Sequence, residues 1–357
     1  MRFLFKTDYA QDLTLFKHSG QVFWYGLLMI ALLAAPHLVG EYVMSQLHFI
    51  CIYSIVGLGM MLLVGFTGQI SLGHAAFLAV GAYTEALMQA AGVPFAISIS
   101  CAAIFSAAVG VIIGLPALRL KGIYLTIATL ALGVIVEEII TRWTKLTGGN
   151  EGKHLKPVEI LGWKLESDTE FYYLCLALTV LCCLACVNLL RSPTGRAFVA
   201  IRDSEISASC MGVHPAKYKT MSFAISAALT GVGGALYAHK LAFISPEQFT
   251  LFQSIELLTI VILGGIGFLH GAVLGAAFII VLPQLISIAK GWLPDGMAPS
   301  GLQAVVFGLI LILFIIFEPH GLYGRWLKIR TWFELFPFYR KGMFRRQKSY
   351  TKSERVR

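Results

Sequence analysis

Charge is what this chain has least of. Asp, Glu, Lys and Arg make up 13% of its 357 residues, against 57% apolar residues and a mean hydropathy of +0.76. A soluble fold of this size needs a polar exterior that so few charges cannot supply, which excludes a soluble basic domain and most soluble enzymes. No Gly-x-x-x-x-Gly-Lys-Ser/Thr phosphate loop is present, so nucleotide hydrolysis by that device is not expected of this chain. No His/Asp/Glu cluster gathers on one side of the apolar runs, which argues against a membrane-embedded enzyme, and neither a cofactor nor a metal is expected. Cysteine adds nothing to that: Cys51, Cys101, Cys175, Cys182, Cys183 and Cys186 lie in apolar runs, and Cys183-Leu-Ala-Cys186 has no turn and no second pair beside it. The first twenty residues mix Lys6, Asp8, Asp12 and Lys17 with apolar residues and lack a small-residue cleavage site, so no cleavable signal peptide is predicted.

The formal charge of +9 is equally local. Residues 325–357 hold eleven Lys/Arg against two Glu, while residues 1–324 hold seventeen of each sign. A basic domain for nucleic acid is therefore not predicted. The tail mixes Arg325, Lys328, Arg330, Arg340, Lys341, Arg345 and Arg346 with Trp326, Trp332, Phe333, Phe336, Phe338 and Tyr339, the composition of an anchor at a lipid interface.

What is present in quantity is apolar length. A helix needs about twenty mostly apolar residues to cross a bilayer, and ten runs approach that: 22–40, 47–66, 70–90, 95–116, 122–140, 171–190, 220–239, 254–269, 272–288 and 302–318. The predicted class is an all-α polytopic membrane protein with about ten spans. Glycines interrupt the third run (Gly68, Gly73, Gly81) and the eighth (Gly264, Gly265, Gly267), so either could be re-entrant or broken. With both termini in the cytoplasm, alternate loops place twenty-one basic residues inside and seven outside, the bias that sets orientation. The division that follows is a cytoplasmic N-terminal segment (1–21), a transmembrane domain (22–318) and a basic cytoplasmic tail (319–357). Within the transmembrane domain, 141–169 forms an outer loop and 191–219 a cytoplasmic one.

Three features carry candidate function. In 191–219, Thr194 is placed to cap a helix ending at Gly212, with Phe198, Ile201, Ala208 and Met211 on one face and Arg196, Arg202, Asp203 and Glu205 opposite. Such a short, mixed-charge amphipathic helix either lies in the lipid interface or docks into a groove on a soluble partner. Among intramembrane polar residues, His74 stands beside Ser71 and Gly73 in the broken run. It is either a translocation-path residue or a histidine tied to a neighbouring carbonyl, while Glu85, Glu137, Glu138 and Glu256 are further candidates. Finally, Val64-Gly65-Phe66-Thr67-Gly68 resembles Leu263-Gly264-Gly265-Ile266-Gly267; the likeness reflects either two transporter halves or the small residues of close packing. Gly231-Val-Gly-Gly234 and Gly271-Ala-Val-Leu-Gly275 allow close helix approach, within the chain or against a paired membrane subunit.

The segment Gly195-Arg196-Ala197, Ala200-Ile201-Arg202-Asp203-Ser204-Glu205-Ile206 and Gly212 resembles the cytoplasmic coupling loop of permease subunits from bacterial ABC importers of the branched-chain amino-acid class, LivM-type. Six further blocks match in order: Val64 to Phe77 with Gly81-Ala82-Tyr83, Leu118 to Tyr124, Phe223 to Ala228, Phe243 to Glu247, Val261 to Gly267, and Pro319 to Leu322. The resemblance covers about 50–325. It implies an inner-membrane permease subunit that imports branched-chain or related amino acids. The partners it implies are a second homologous permease, two ATP-binding subunits, a periplasmic solute-binding protein and the lipid bilayer. It further implies ATPase coupling through Gly195, Arg196, Ile201, Arg202, Asp203, Glu205 and Gly212, and periplasmic docking at Thr147, Gly148 and Gly149; the glycine breaks themselves place a candidate path beside Ser71, Gly73, His74, Gly264, Gly265 and Gly267. Lys153 stands where the family's Thr-Gly-Gly-x-x-Gly block is followed by an apolar residue, which bears on the solute. Rival readings are the same class of permease carrying urea, short amides or another small solute, and an ion-coupled secondary transporter with paired intramembrane charges.

Overall fold

A computed structural model describes residues 19–117, 120, 122–160, 163–165, 167–290, 302–318 and 321–335. Most of the N-terminal segment, the tail beyond residue 335, the Pro319-His320 pair and parts of the Leu118 to Lys121 block lie outside them.

The chain runs as helices α1 (Ser19–Leu38), α2 (Glu41–Met60), α3 (His74–Ala90), α4 (Phe95–Ala117), α5 (Ile123–Arg142), α6 (Thr144–Thr147), α7 (Asp168–Arg191), α8 (Pro193–Asp203), α9 (Glu205–Cys210) and α10 (Pro215–Leu241). They are followed by α11 (Leu251–Gly264), α12 (Leu269–Lys290), α13 (Leu302–Phe317) and α14 (Gly321–Leu335). Each of the ten apolar runs falls on a helix. Among the described residues, six helices are long and apolar enough to cross a membrane: Glu41–Phe66, Phe95–Leu115, Ile123–Arg142, Asp168–Arg191, Pro215–Leu241 and Leu269–Ile288. The architecture is thus polytopic and helical. The two runs interrupted by glycine give the short helices α3 and α11, of 17 and 14 residues. Two features depart from the expectation. Four two-residue strands, β1 (Lys153–His154) with β4 (Phe243–Ile244) and β2 (Glu159–Ile160) with β3 (Trp163–Lys164), form antiparallel pairs, and the tail opens with a helix, α14.

Local chemistry sets the boundaries. Pro193 and Pro215 occupy the first helical positions of α8 and α10, where a missing N–H costs nothing. Ser167 accepts from the Thr169 amide at the start of α7, with Asp168 and Glu170 in its positive first turn. After α2 the ladder widens into a π-turn, Met61–Phe66, and the chain then leaves the helix until His74.

Helix α10 is the central strut, packed on α2, α3 and α4. In lipid, apolar surface alone does not drive helices together, so backbone proximity and dispersion must. Glycine supplies the proximity: a Cβ on Gly81 would lie 2.3 Å from the Gly231 carbonyl oxygen, and one on Gly234 would lie 2.2 Å from that of Leu78. Helix α11 meets α12 the same way, with Gly264 facing Gly271 and Gly275 facing Ile260. Both small-residue motifs are therefore used inside this chain. Helix α5 stands at the periphery, with Ile127, Val134, Ile135 and Ile139 exposed.

Candidate functional site

The loop between α7 and α10 is two helices where one was expected. Ser204 breaks the run in extended geometry (φ −164°, ψ 112°), and its hydroxyl accepts from the Ser207 amide to start α9. Ser192 rather than Thr194 precedes α8, with no side-chain cap. Gly212 does terminate the segment: at φ 83° its amide bonds the Ser209 carbonyl while Val213 N–H reaches that of Ala208, the paired bonding of a left-handed helix stop. Phe198, Ile201 and Ala208 are buried against the bundle, but Met211 is 86% exposed and Ile206 76%. Gly195 sets the corner with α7, where a Cβ would lie 2.3 Å from Leu190 Cα.

The charges of this loop are used mainly within the chain. Arg196 donates to the Arg191 carbonyl at 3.2 Å, and Lys219 donates to Glu205 at 2.8 Å. Arg202 holds Asp203 through Nε and Nη2 at 3.1 and 3.0 Å and donates from Nη1 to the Gly65 carbonyl at 3.0 Å. The sequence reading put Arg202 opposite the apolar face; its side chain is indeed 36% exposed, but Nη1 reaches back to the bundle. There Gly65 and Gly267 are neighbours, a Cβ on the first lying 2.8 Å from the nitrogen of the second. The two similar segments, 64–68 and 263–267, thus meet at one end of the molecule.

The break from Thr67 to Gly73 exposes backbone groups that need partners away from water. The π-turn, the break's own Ser71 and side chains of α5 and α11 supply them, while Ser222 of α10 holds the Gln69 side chain. Gln69 N–H bonds the Leu63 carbonyl and its side chain donates to Ser222; Leu72 N–H donates to Thr129 Oγ1; Gly73 N–H donates to Ser71 Oγ; and Ala75 N–H donates to Ser254 Oγ. Gln69 and His74 meet Ser222 and Ser226, one turn apart on α10, so the break climbs alongside that helix. His74 is fully buried, its Nε2 2.8 Å from the Ser226 hydroxyl and its ring edge-on to Phe77. Its partner is a hydroxyl rather than a carbonyl, and none of its surface is accessible among the described residues. Ser71, Gly73, Gly264 and Gly265 are buried as well.

At the other end, Thr147 Oγ1 donates within reach of the Ile140 and Trp143 carbonyls and accepts from Gly149 N–H. Gly148, Gly149 and Gly152 take positive φ (81°, 57° and 68°), which accounts for the spacing of the Thr-Gly-Gly-x-x-Gly block. Thr147 and Gly149 are buried, so they shape the loop while Asn150 and Glu151 face outward. Lys153 follows in β1, paired with Ile244. Close by, Glu85 Oε1 accepts from Ser98 at 2.8 Å and lies 3.0 Å from His239 Nε2, both side chains being almost wholly buried. His239 Nδ1 is 3.2 Å from the Lys156 carbonyl, which also accepts from Gln89 at 2.9 Å.

Residues 42–315 match the family described as the permease component of the branched-chain amino-acid transport system. The chain belongs to that family. Among its relatives, the high-affinity branched-chain amino-acid transport system permease protein LivM of Salmonella typhimurium is 34% identical over 327 residues, 85% of this chain and 74% of that protein. A probable LivM of Methanocaldococcus jannaschii is 28% identical, covering 63% of this chain and 67% of its own length. The permease protein LivH of Salmonella typhimurium is 23% identical over 76% of this chain and 91% of itself. No solved structure matches.

Within this permease the sequence reading named Glu85 but missed His239. No local pattern pairs residues 154 positions apart, and His239 ends an apolar run like any interfacial histidine. The permease also holds no cluster of three His, Cys, Asp or Glu side chains placed to bind a metal among its described residues. Cys182 and Cys186 are buried along α7.

Proposed function

We propose that the chain is the membrane-spanning subunit of an ATP-driven importer that moves branched-chain or related amino acids across a bacterial inner membrane. Its partners in this reading are a second, homologous permease, two ATP-binding subunits that hydrolyse the nucleotide, and a periplasmic binding protein that sets most of the selectivity. Family membership carries the reading. The α8–α9 loop gives it a mechanism: its inner face is pinned to the bundle while Ile206 and Met211 stand free, the pattern of a short helix offered to a groove on a soluble partner. Closure of two ATPase subunits on nucleotide would draw such loops together and switch the permease between outward- and inward-facing packings. In this reading Gly195, Arg196, Ile201, Arg202, Asp203, Glu205 and Gly212 build the coupling element. Ser71, Gly73, His74, Gly264, Gly265 and Gly267 flank a path closed in this conformation, and the loop around Thr147, Gly148 and Gly149 meets the binding protein. The exposed apolar face of α5 would meet lipid or the second permease.

Ten crossings with both termini in the cytoplasm agree with which residues meet. Gly65, Gly68, Arg202, Gly267 and Gly321 gather at one end, and Glu85, Lys156 and His239 at the other, as strict alternation requires. Cys210, exposed on α9, tests the orientation: a membrane-impermeant maleimide should label it in inverted vesicles and not in intact spheroplasts. Exposed tryptophans on α14, Trp326 and Trp332, beside Arg325 and Lys328, suit an interfacial anchor on the same side.

One observation favours the ion-coupled alternative: Glu85 and His239 form the kind of buried pair that such a transporter would use. The separating experiment is leucine uptake by cells depleted of ATP with the proton gradient maintained. Loss of uptake supports the importer; persistence supports the ion-coupled reading. A panel of urea, acetamide and branched-chain amino acids competing for uptake decides the solute class.

A further inference from the structure

Arg202 touches both glycine breaks. Its Nη1 donates to the Gly65 carbonyl at 3.0 Å, near the end of the π-turn, where the last carbonyls of a helix have no donor of their own. A Cβ on Gly68 would lie 3.2 Å from Arg202 Cγ, and one on Gly267 would lie 3.4 Å from its Nη1. Gly267 N–H in turn points at Met61 Sδ, 3.3 Å away inside the same π-turn. The guanidinium has three edges to offer. Asp203 takes Nε and Nη2, which fixes the plane of the fork and leaves Nη1 aimed at Gly65. A lysine could supply the charge but not two fixed directions at once.

The elements at this junction are the deformable ones. A π-turn is a known place for a helix to change register, and Gly68, Gly265 and Gly267 have positive φ values of 72°, 114° and 87° that other residues rarely adopt. Elsewhere α8 meets the bundle through the buried Phe198 and Ile201, contacts that slide more readily than a directed hydrogen bond.

From this we infer that Arg202 is a positioning residue that transmits movement of the α8–α9 loop into the two glycine breaks, setting α3 and α12 together. The inference rests on the importer reading above. It differs from a docking role, in which Arg202 would contact the ATPase directly.

The test uses the complete importer in proteoliposomes, with three readouts: ATPase subunits recovered with the tagged permease, ATP hydrolysis stimulated by the binding protein, and leucine uptake. Arg202→Gln acts from the loop side. Gly65→Ala acts from the membrane side, its methyl meeting Met61 Sδ at 2.7 Å and Gly267 N at 2.8 Å. Both should keep the ATPase subunits and hydrolysis while uptake per ATP falls about tenfold, within the range usual for coupled sites. Arg202→Lys, milder and scored on assembled complex, should fall between. Two results overturn the inference: uptake per ATP unchanged in Arg202→Gln, or ATPase subunits lost from that variant while Gly65→Ala stays fully coupled. The underlying reading fails separately, if the unaltered complex imports leucine without ATP.

Discussion

The Glu85–His239 pair makes a quantitative prediction because its neighbours have alternatives. Replacing His239 with Leu leaves Glu85, about 1% exposed, with one neutral donor, the Ser98 hydroxyl, while its second oxygen already lacks a partner. Replacing Glu85 with Leu leaves His239 Nε2 facing apolar surface. Breaking a buried pair from one side costs about 3–5 kcal/mol, because the remaining group is desolvated and uncompensated. The double replacement strands nothing. Ser98 can turn to the Phe95 carbonyl at 3.0 Å, and Lys156 keeps its bond from Gln89. Its cost should be about 1–2 kcal/mol, well below either single change and far below their sum. Reversible unfolding of the purified permease in detergent, with all four members of the cycle at one pH, gives the coupling energy. Single losses under about 1 kcal/mol, or additivity within the usual 0.5 kcal/mol, would refute the claim that the pair is buried and mutually dependent.

Other consequences are simpler to test. Gly81→Ala places a methyl against Gly231 backbone that cannot yield, and should cost about 1–3 kcal/mol or abolish insertion; Gly26→Ala, with nothing within 4 Å, should be silent in the same folding assay. Ile206→Asp, on the exposed face of α9, should lower recovery of ATPase subunits with the permease while leaving its thermal stability unchanged. Gly152→Ala forces a left-handed position and drives a methyl to 2.4 Å from the Ile244 carbonyl, so it should loosen the loop around β1 and raise its proteolysis.

Much of this was legible in the residues. Apolar runs of helical length locate all six helices long enough to cross a membrane among the described residues, because length and hydropathy alone decide whether a segment suits a bilayer. Gly212 as a helix stop and the breaks at Gly68 and Gly267 were visible because each needs a conformation that glycine alone adopts cheaply. The partners of those breaks were not. Gln69 reaching Ser222, Ala75 reaching Ser254 and Arg202 reaching Gly65 join residues 137 to 179 positions apart, and helix packing, not local spacing, brings them together. The Ser204 kink was missed because serine sits as readily within a short helix as at a cap, and only its extended backbone separates the two. The Arg202 contact was hidden for a related reason: the residue lies on the polar side and stays 36% exposed, yet its long stem lets one edge of the head turn back onto a helix end.

The central claim, that this permease is driven by ATP on partner subunits, is tested most directly by leucine accumulation into proteoliposomes. They would hold the complete importer with ATP and Mg²⁺ on the coupling-loop side, the binding protein opposite and ionophores present. The account predicts accumulation against a gradient that needs ATP, the ATPase subunits and the binding protein, and that ionophores leave unchanged. Accumulation that survives without ATP and collapses when the ion gradients are dissipated would contradict it.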